Sequence, residues 1–342
     1  MKIVDAKDLD NVPSVPVSVL VCAHNELENL KRLIPAILGQ RYKNFELLLV
    51  DDRSTDGSFA YFKDKYQAET RFRIIRIEEK KANENFKKNA LTKAIEVSEF
   101  DTLLITDADC IPSSEYWIAE MASFLNSSKI EIVLGYSPYE YRSGFLNMLI
   151  RYETLMTAVH YFSFALSGFP YMGVGRNLMY KKSLFKKNQG FKTHINITGG
   201  DDDLFIGEVG KSTNTACCMH KNGQMISIPK ENYFSWLRQK RRHLSVGVKY
   251  KWRHQALLGL EIFSHVFFYV FAGIVFCQDY KAAFFFLMIR SLVFVVIFVL
   301  IAKKLGDNYK WWWLLFPLDV VYIFNYLLIT LSLVLYKKIK WS

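Results

Sequence analysis

Asp107-Ala108-Asp109 sets two carboxylates on either side of a small residue, directly after the apolar run 102–106. Hard oxygen donors at this spacing can hold one divalent cation and leave coordination positions open for phosphate oxygens. A second acidic group, Gly199-Gly200-Asp201-Asp202-Asp203, opens an apolar run with the composition of a helix start. Acidic side chains there interact favourably with the helix dipole. Three adjacent carboxylates also repel one another, which calls for a nearby cation or a working base. Two more polar clusters, His24-Asn25-Glu26 and Asp51-Asp52, follow apolar runs in the same way.

The runs ahead of these clusters, 15–23 (VPVSVLVCA), 45–50 (FELLLV) and 102–106 (TLLIT), have strand length and strand composition. Between them, residues 26–38 carry Leu27, Leu30, Leu33, Ile34, Ile37 and Leu38 at helical spacing. A further helix begins near Ser58, capped by Ser54, Thr55 or Asp56. Residues 71–77 alternate as an outer strand would, and 83–96 are helical in pattern. Strand and helix thus alternate, which predicts an α/β domain with parallel strands and right-handed crossovers. Three polar clusters fall at strand carboxyl ends, the edge where open α/β sheets bind ligands. There is no Gly-x-Gly-x-x-Gly and no Gly-x-x-x-x-Gly-Lys, so a nicotinamide enzyme or P-loop nucleotidase is disfavoured. A nucleotide would be gripped by carboxylates and a bridging cation. Residues 130–136 read as another strand, and 145–169 as a helix on the domain surface or at a membrane interface. The glycines of Gly173-Val174-Gly175-Arg176-Asn177 suit close approach of backbone to a ligand.

The 342 residues are 51% hydrophobic with a net charge of +11, a balance that suits nucleic acid, an anionic membrane surface or phosphorylated ligands. The five cysteines show neither zinc spacing nor a disulfide framework, which fits a reducing cytoplasm. The first 16 residues are polar, and no signal peptide is expected. Residues 236–254 are densely basic, with Trp236 and Trp252 interleaved. They read as a juxtamembrane belt for anionic lipid, some of whose cations could also meet a diphosphate. Three lipid-like stretches follow, 257–277, 282–302 and 311–336, each near the ~20 residues that cross the hydrocarbon. Arg290 lies mid-span and Asp319 inside the third stretch; a charge there is costly unless paired or lining an acceptor path. Glu261 fits an interfacial position. With 236–254 cytoplasmic, Lys303, Lys304 and Lys310 follow the positive-inside rule. Lys337, Lys338 and Lys340 then require a re-entrant third stretch or a breach of that rule. The expected organisation is an N-terminal segment (1–14), a catalytic domain (15–235), a basic interfacial segment (236–256) and a membrane region (257–342).

Taken together, these motifs resemble the membrane-anchored branch of the family-2 glycosyltransferases over residues 15–250. Ala23-His24-Asn25-Glu26 is similar to the family's small-x-Asn-Glu opening, and Asp51-Asp52-x-Ser54-x-Asp56-Gly57 to its second nucleotide motif. Phe86-Lys87-Lys88-Asn89-Ala90-Leu91 resembles the Gly-Lys-x-x-Ala-Leu helix start, with Phe86 in place of glycine. Asp107-Ala108-Asp109 matches the metal motif, Gly200-Asp201-Asp202-Asp203 the base motif, and Gln239-Lys240-Arg241-Arg242-His243 the Gln-x-x-Arg-Trp motif. The resemblance implies a GT-A fold (Rossmann-like, mostly parallel sheet) followed by transmembrane helices. It also implies inverting, hexosyltransferase-type transfer from a nucleoside-diphosphate sugar, with uridine as the expected base. The expected acceptor is lipid-linked or a glycan, in envelope polysaccharide or glycolipid synthesis at the cytoplasmic membrane face. On this reading Ala23, His24, Asn25, Glu26, Asp52, Lys87 and Asp107 line the donor nucleotide, and Asp107 and Asp109 hold Mg²⁺ or Mn²⁺. Asp202 is the general base, with Asp201 or Asp203 as register alternatives; Gln239, Arg242 and His243 face diphosphate and acceptor. His243 stands where processive synthases carry a tryptophan, which argues against processive polymerisation, as do only three spans. The rival reading is a catalytically silent, membrane-anchored nucleotide-sugar-binding scaffold; intact carboxylates at Asp107, Asp109 and Asp202 argue against it. Nucleic acid is not an expected partner, because the cations crowd beside the spans rather than along a readable binding module. The purified chain is therefore predicted to bind anionic liposomes in a salt-dependent manner and to leave RNA unbound in the same pulldown.

Overall fold

The computed structural model describes residues 15–78, 85–127, 129–307 and 314–335. The fold divides into two compact units, residues 1–141 with 157–229, and residues 142–156 with 230–342.

In the first unit the opening apolar runs form β1 (Val17–Ala23), β2 (Phe45–Asp52), β3 (Phe72–Ile77) and β4 (Thr102–Asp107). Helices α1 (Leu27–Leu38), α2 (Ser58–Lys65) and α3 (Phe86–Val97) connect them. Residues 83–84 of the expected third helix lie outside the described residues. β1 to β4 pair in parallel, as their alternation with helices predicts. The register sets Ala23 beside Asp51 and Cys22 beside Asp107, so the polar clusters share one sheet edge.

β5 (Cys110–Pro112) and α4 (Trp117–Ser123) follow, then β6 (Ile132–Gly135), α5 (Phe145–Leu166), β7 (Leu178–Lys181), α6 (Lys182–Lys187), α7 (Asp203–Val209), β8 (Thr215–Cys218) and β9 (Met225–Ser227). The seven-stranded sheet runs β3-β2-β1-β4-β7-β6-β8, with β3 at its edge. β7 is antiparallel to both neighbours, and β5 pairs with β9 in a separate small ribbon. This mixed half was not readable from strand–helix alternation. Its strands are three or four residues long and separated by irregular segments.

β1 and β2 are buried on both faces, which is why they read as continuous apolar runs. The polar pair buried at mid-strand is satisfied: Ser18 Oγ donates to Glu46 Oε1 at 2.6 Å, and Arg73 pairs with Glu46 at 2.8 Å. Leu30, Leu33, Ile34 and Ile37 of α1 and Trp117, Ile118 and Met121 of α4 complete the core. Leu149, Tyr152, Leu155, Ala158 and Tyr161 of α5 are all buried, so one face of the helix expected over 145–169 is covered, while Phe145 and Leu166 at its ends are exposed.

The second unit contains α8 (Tyr233–Gly247), α9 (Trp252–Gln278), α10 (Tyr280–Lys304) and α11 (Leu315–Leu335). The last three are long and apolar enough to cross a membrane. Residues 311–313 and 336 of the third expected span lie outside the described residues. Asp279 alone separates α9 from α10, and its carboxylate accepts from the Lys281 and Ala282 N–H groups that begin α10.

Arg290 resolves by pairing. Its Nη2 lies 2.9 Å from Asp319 Oδ2, which also accepts from Tyr269 Oη at 2.6 Å and His265 Nε2 at 3.0 Å. Tyr152 Oη of α5 donates to Asp319 Oδ1 at 3.0 Å. Asp319 is fully buried, and one carboxylate thereby ties four helices together. Removing one partner of a buried pair leaves the other charge uncompensated, at a cost of about 3–5 kcal/mol. Asp319→Ala is therefore predicted to lower the thermal midpoint in detergent markedly, and Asp319→Asn less so. An unchanged midpoint for Asp319→Ala would show that the network contributes nothing.

Candidate functional site at the carboxyl edge of the sheet

The site is organised by helix starts and strand ends. Asn25 and Arg53 both adopt left-handed backbone, φ 55° and 59°, where β1 and β2 turn away from the sheet. The two turns are laced together. Asn25 N–H donates to Ser54 Oγ at 2.9 Å, Thr55 N–H to Asn25 Oδ1 at 2.8 Å, and His24 Nδ1 to the Asp52 carbonyl at 2.6 Å. Glu26 accepts from Asn29 Nδ2 at 2.6 Å. Asp56 serves two helices: one oxygen accepts from Leu27 N–H at 2.9 Å, the other from the N–H and hydroxyl of Ser58. Among the three capping candidates, Asp56 is therefore the one that engages the start of α2. Burial pushes its carboxyl up, but the Ser58 hydroxyl and the Leu27 and Ser58 N–H groups outweigh this and hold it below the ordinary value.

Asp52 meets Arg53 through both oxygens, at 2.8 and 3.0 Å, and the Arg53 guanidinium lies 4.1 Å from the centre of the Phe86 ring. Arg53 carried no sequence signal beyond its place in the acidic turn. Asp51, further back on β2, is buried with Arg76 Nε 3.5 Å away.

Lys87 is the centre of the site. Its Nζ stands 3.1 Å from Asp107 and 3.1 Å from Asp201, joining two acidic groups 94 residues apart in sequence. Burial works against this ammonium, and Asp107, Asp201 and Asp202 more than compensate, raising its pKa well above the ordinary value. The adjacent Lys88 does a different job. It is fully buried, and its Nζ donates to the carbonyls of His194 (2.5 Å) and Ile197 (2.8 Å), while Asn85 Nδ2 also donates to Ile197. Burial pushes Lys88 down to about 8 despite its acidic neighbours. The start of α3 thus both neutralises the acidic cluster and holds the loop leading into it.

That loop ends in two left-handed glycines, Gly199 (φ 82°) and Gly200 (φ 78°). A Cβ at Gly200 would lie 2.6 Å from Leu204 Cδ1, so only glycine permits the tight entry into α7. Asp201 and Asp203 are buried; Asp202 alone of the three is partly accessible. The Asp202 oxygens accept from Gly175 N–H at 2.7 Å and Asp203 N–H at 2.9 Å. Burial and the neighbouring Asp201 raise the Asp202 carboxyl above the ordinary value, against the opposing pull of Lys87.

Asp107 and Asp109 are both partly accessible at the end of β4. Among the described residues no three His, Cys, Asp or Glu side chains form a ready-made metal cluster. The thiol of Cys110 is held well above its ordinary value by burial and by Asp109 and Asp107, so it stays a thiol. The structure therefore brings together Ala23, His24, Asn25, Glu26 and Asp52 on one side, and Lys87, Asp107, Asp201 and Asp202 on the other. Gln239, Arg242 and His243 lie on α8 in the second unit, where His243 is exposed.

A mixed α/β sheet with carboxylates gathered at one edge is the GT-A class of fold. Residues 18–198, more than half of the chain, match Glycosyl transferase family 2, and the chain belongs to that family. Glycosyltransferase AglE of Haloferax volcanii is 28% identical over 130 residues, 37% of this chain and 41% of that protein. The poly-beta-1,6-N-acetyl-D-glucosamine synthase of Staphylococcus aureus is 24% identical over 145 residues, 42% of this chain and 34% of that protein. These matches span less than half the length of either relative. Among solved structures, the mannosyltransferase PcManGT of Pyrobaculum calidifontis, in complex with GDP-Man and Mn²⁺, superimposes with a TM-score of 0.59. That match has 17% identity and covers 94% of this chain and 87% of that one, a likeness of fold.

Asp56→Ala removes acceptors from two helix starts and is predicted to cost about 1–2 kcal/mol at neutral pH, the range of a lost cap. Because the folded carboxyl lies below its unfolded value, its contribution is present above the unfolded pKa and fades as pH falls through the folded one. Urea melts at pH 7 and pH 3 should show the variant converging on the wild type in acid.

Proposed function

We propose that the chain is an inverting glycosyltransferase that moves a sugar from a nucleoside diphosphate to a hydroxyl or phosphate oxygen of a lipid-linked or glycan acceptor. The observation that carries this reading is Lys87 lying between Asp107 and Asp201, which gathers the metal-type and base-type carboxylates in one place.

Asp107 and Asp109 fit a hard divalent cation by donor type. Two carboxylates complemented by phosphate oxygens and water are the usual setting for Mg²⁺ at a diphosphate. Such a cation, when bound, neutralises charge developing on the leaving diphosphate. His24, Asn25, Glu26 and Asp52 would line the nucleoside. Asp202 is the assigned base among the three, because it combines partial access with a raised pKa and a carboxylate fixed by two N–H groups. For a hydroxyl acceptor it takes the proton as the acceptor oxygen attacks the anomeric carbon. The bond from that carbon to the diphosphate breaks on the opposite face, inverting the configuration. Three apolar helices and the basic stretch at 236–254 support a membrane-anchored enzyme with a cytoplasmic catalytic domain and a membrane-borne acceptor.

Purified protein in detergent, screened against uridine- and guanosine-diphosphate sugars, should release nucleoside diphosphate with Mg²⁺ or Mn²⁺ and stop when the metal is chelated. Asp202→Asn should lower turnover by roughly 10²–10⁴-fold, the range for a general base, with little loss of donor binding. Full turnover in a folded Asp202→Asn protein would refute the assignment. Turnover should also fall in acid as Asp202 takes up its proton. Lys87→Met should shift that acid limb to higher pH, since the lysine favours the carboxylate form; an unmoved limb in the pH–rate profile would count against their coupling.

A further inference from the structure

We propose that Arg176, at the tip of the Gly173–Asn177 loop, is a phosphate-binding residue that receives the terminal phosphate of the donor's nucleoside diphosphate. This rests on the glycosyl-transfer reading and adds to it a cation that none of the recognised motifs contains.

Three consecutive residues of this loop have three distinct attachments. Gly175 N–H holds Asp202 at 2.7 Å, and a Cβ there would come within 3.1 Å of the same carboxylate oxygen. Asn177 is fully buried; its Nδ2 donates to the carbonyls of Tyr136 and Gly223, both at 2.8 Å, and its Oδ1 accepts from Trp117 Nε1 at 3.0 Å. The backbone on either side of Arg176 is thereby fixed against the sheet and against Asp202.

The Arg176 guanidinium lies 4.5 Å from the centre of the Tyr139 ring, which covers one of its faces. Its Nη1 is buried and has no hydrogen-bond partner among the described residues. Burial opposes its charge, and Tyr139, Cys110, Asp109 and Asp107 outweigh that opposition. Leaving a buried charged donor unsatisfied is costly. A guanidinium fork pairs strongly with carboxylates and with phosphates alike. Here the nearby carboxylates are those proposed to hold the cation, and the guanidinium beside them keeps a donor for an anion arriving with it. A planar fork suits a phosphate carrying two free oxygens.

The test is calorimetric binding of nucleoside diphosphates and monophosphates (uridine and guanosine series) to the full chain in detergent with Mn²⁺. Arg176→Gln should weaken diphosphate binding about tenfold to a hundredfold, the size of a charge-assisted hydrogen bond, and change monophosphate binding less than about twofold. Arg176→Lys should fall between, and serves if the glutamine variant does not fold. Undiminished diphosphate affinity in either variant overturns the proposal, and so do equal losses for both nucleotides, which mark a structural role. Failure of the wild-type chain to bind any diphosphate instead overturns the glycosyl-transfer reading, and this inference with it.

Discussion

One ammonium group makes the acidic edge of this sheet possible. Asp107, Asp201 and Asp202 carry like charges in a half-buried setting and repel one another. Lys87, between two of them and within electrostatic reach of the third, offsets that repulsion with one positive charge. Much of the surrounding architecture serves that placement. Parallel pairing of β1 and β4 sets Asp107 at the edge, α3 begins where its second residue can reach it, and Lys88 and Asn85 hold the 194–197 loop.

Both units handle charge the same way. In the first, Glu46 is buried in mid-strand, yet it meets a hydroxyl, a guanidinium and the Glu99 N–H. In the second, Asp319 is surrounded by Arg290, His265 and two tyrosines. A charge inside an apolar span is tolerated when its partners lie on neighbouring helices, and the same partners then determine how those helices associate. The difference between the two units lies in what is left over. The Asp319 node uses its donors on itself, whereas Asp107, Asp109 and Asp202 remain partly accessible at the sheet edge.

Much of this was legible in the residues. The strands β1, β2 and β4 were visible because strands buried on both faces leave near-continuous apolar runs, and the polar residues that stop them mark the functional edge. In the other half of the sheet only β6 was, within the run 130–136; β7 and β8 were not. Four-residue strands carry too little pattern, and their mixed directions are not implied by helix alternation. Arg176 escaped notice for a related reason. It sits in a loop whose glycines drew attention, and a single arginine there has no sequence signature.

The sequence by itself determined the α/β class, the family, the apolar spans and the acidic motifs, because composition, periodicity and local spacing are properties of neighbouring residues. Only the tertiary structure decided which of two adjacent lysines reaches the carboxylates and which anchors a loop. It likewise decided which of three adjacent aspartates keeps an accessible carboxylate, and that Arg290 finds Asp319. Those outcomes depend on side-chain direction at a helix start and on contacts across tens to more than a hundred residues, which no local pattern encodes.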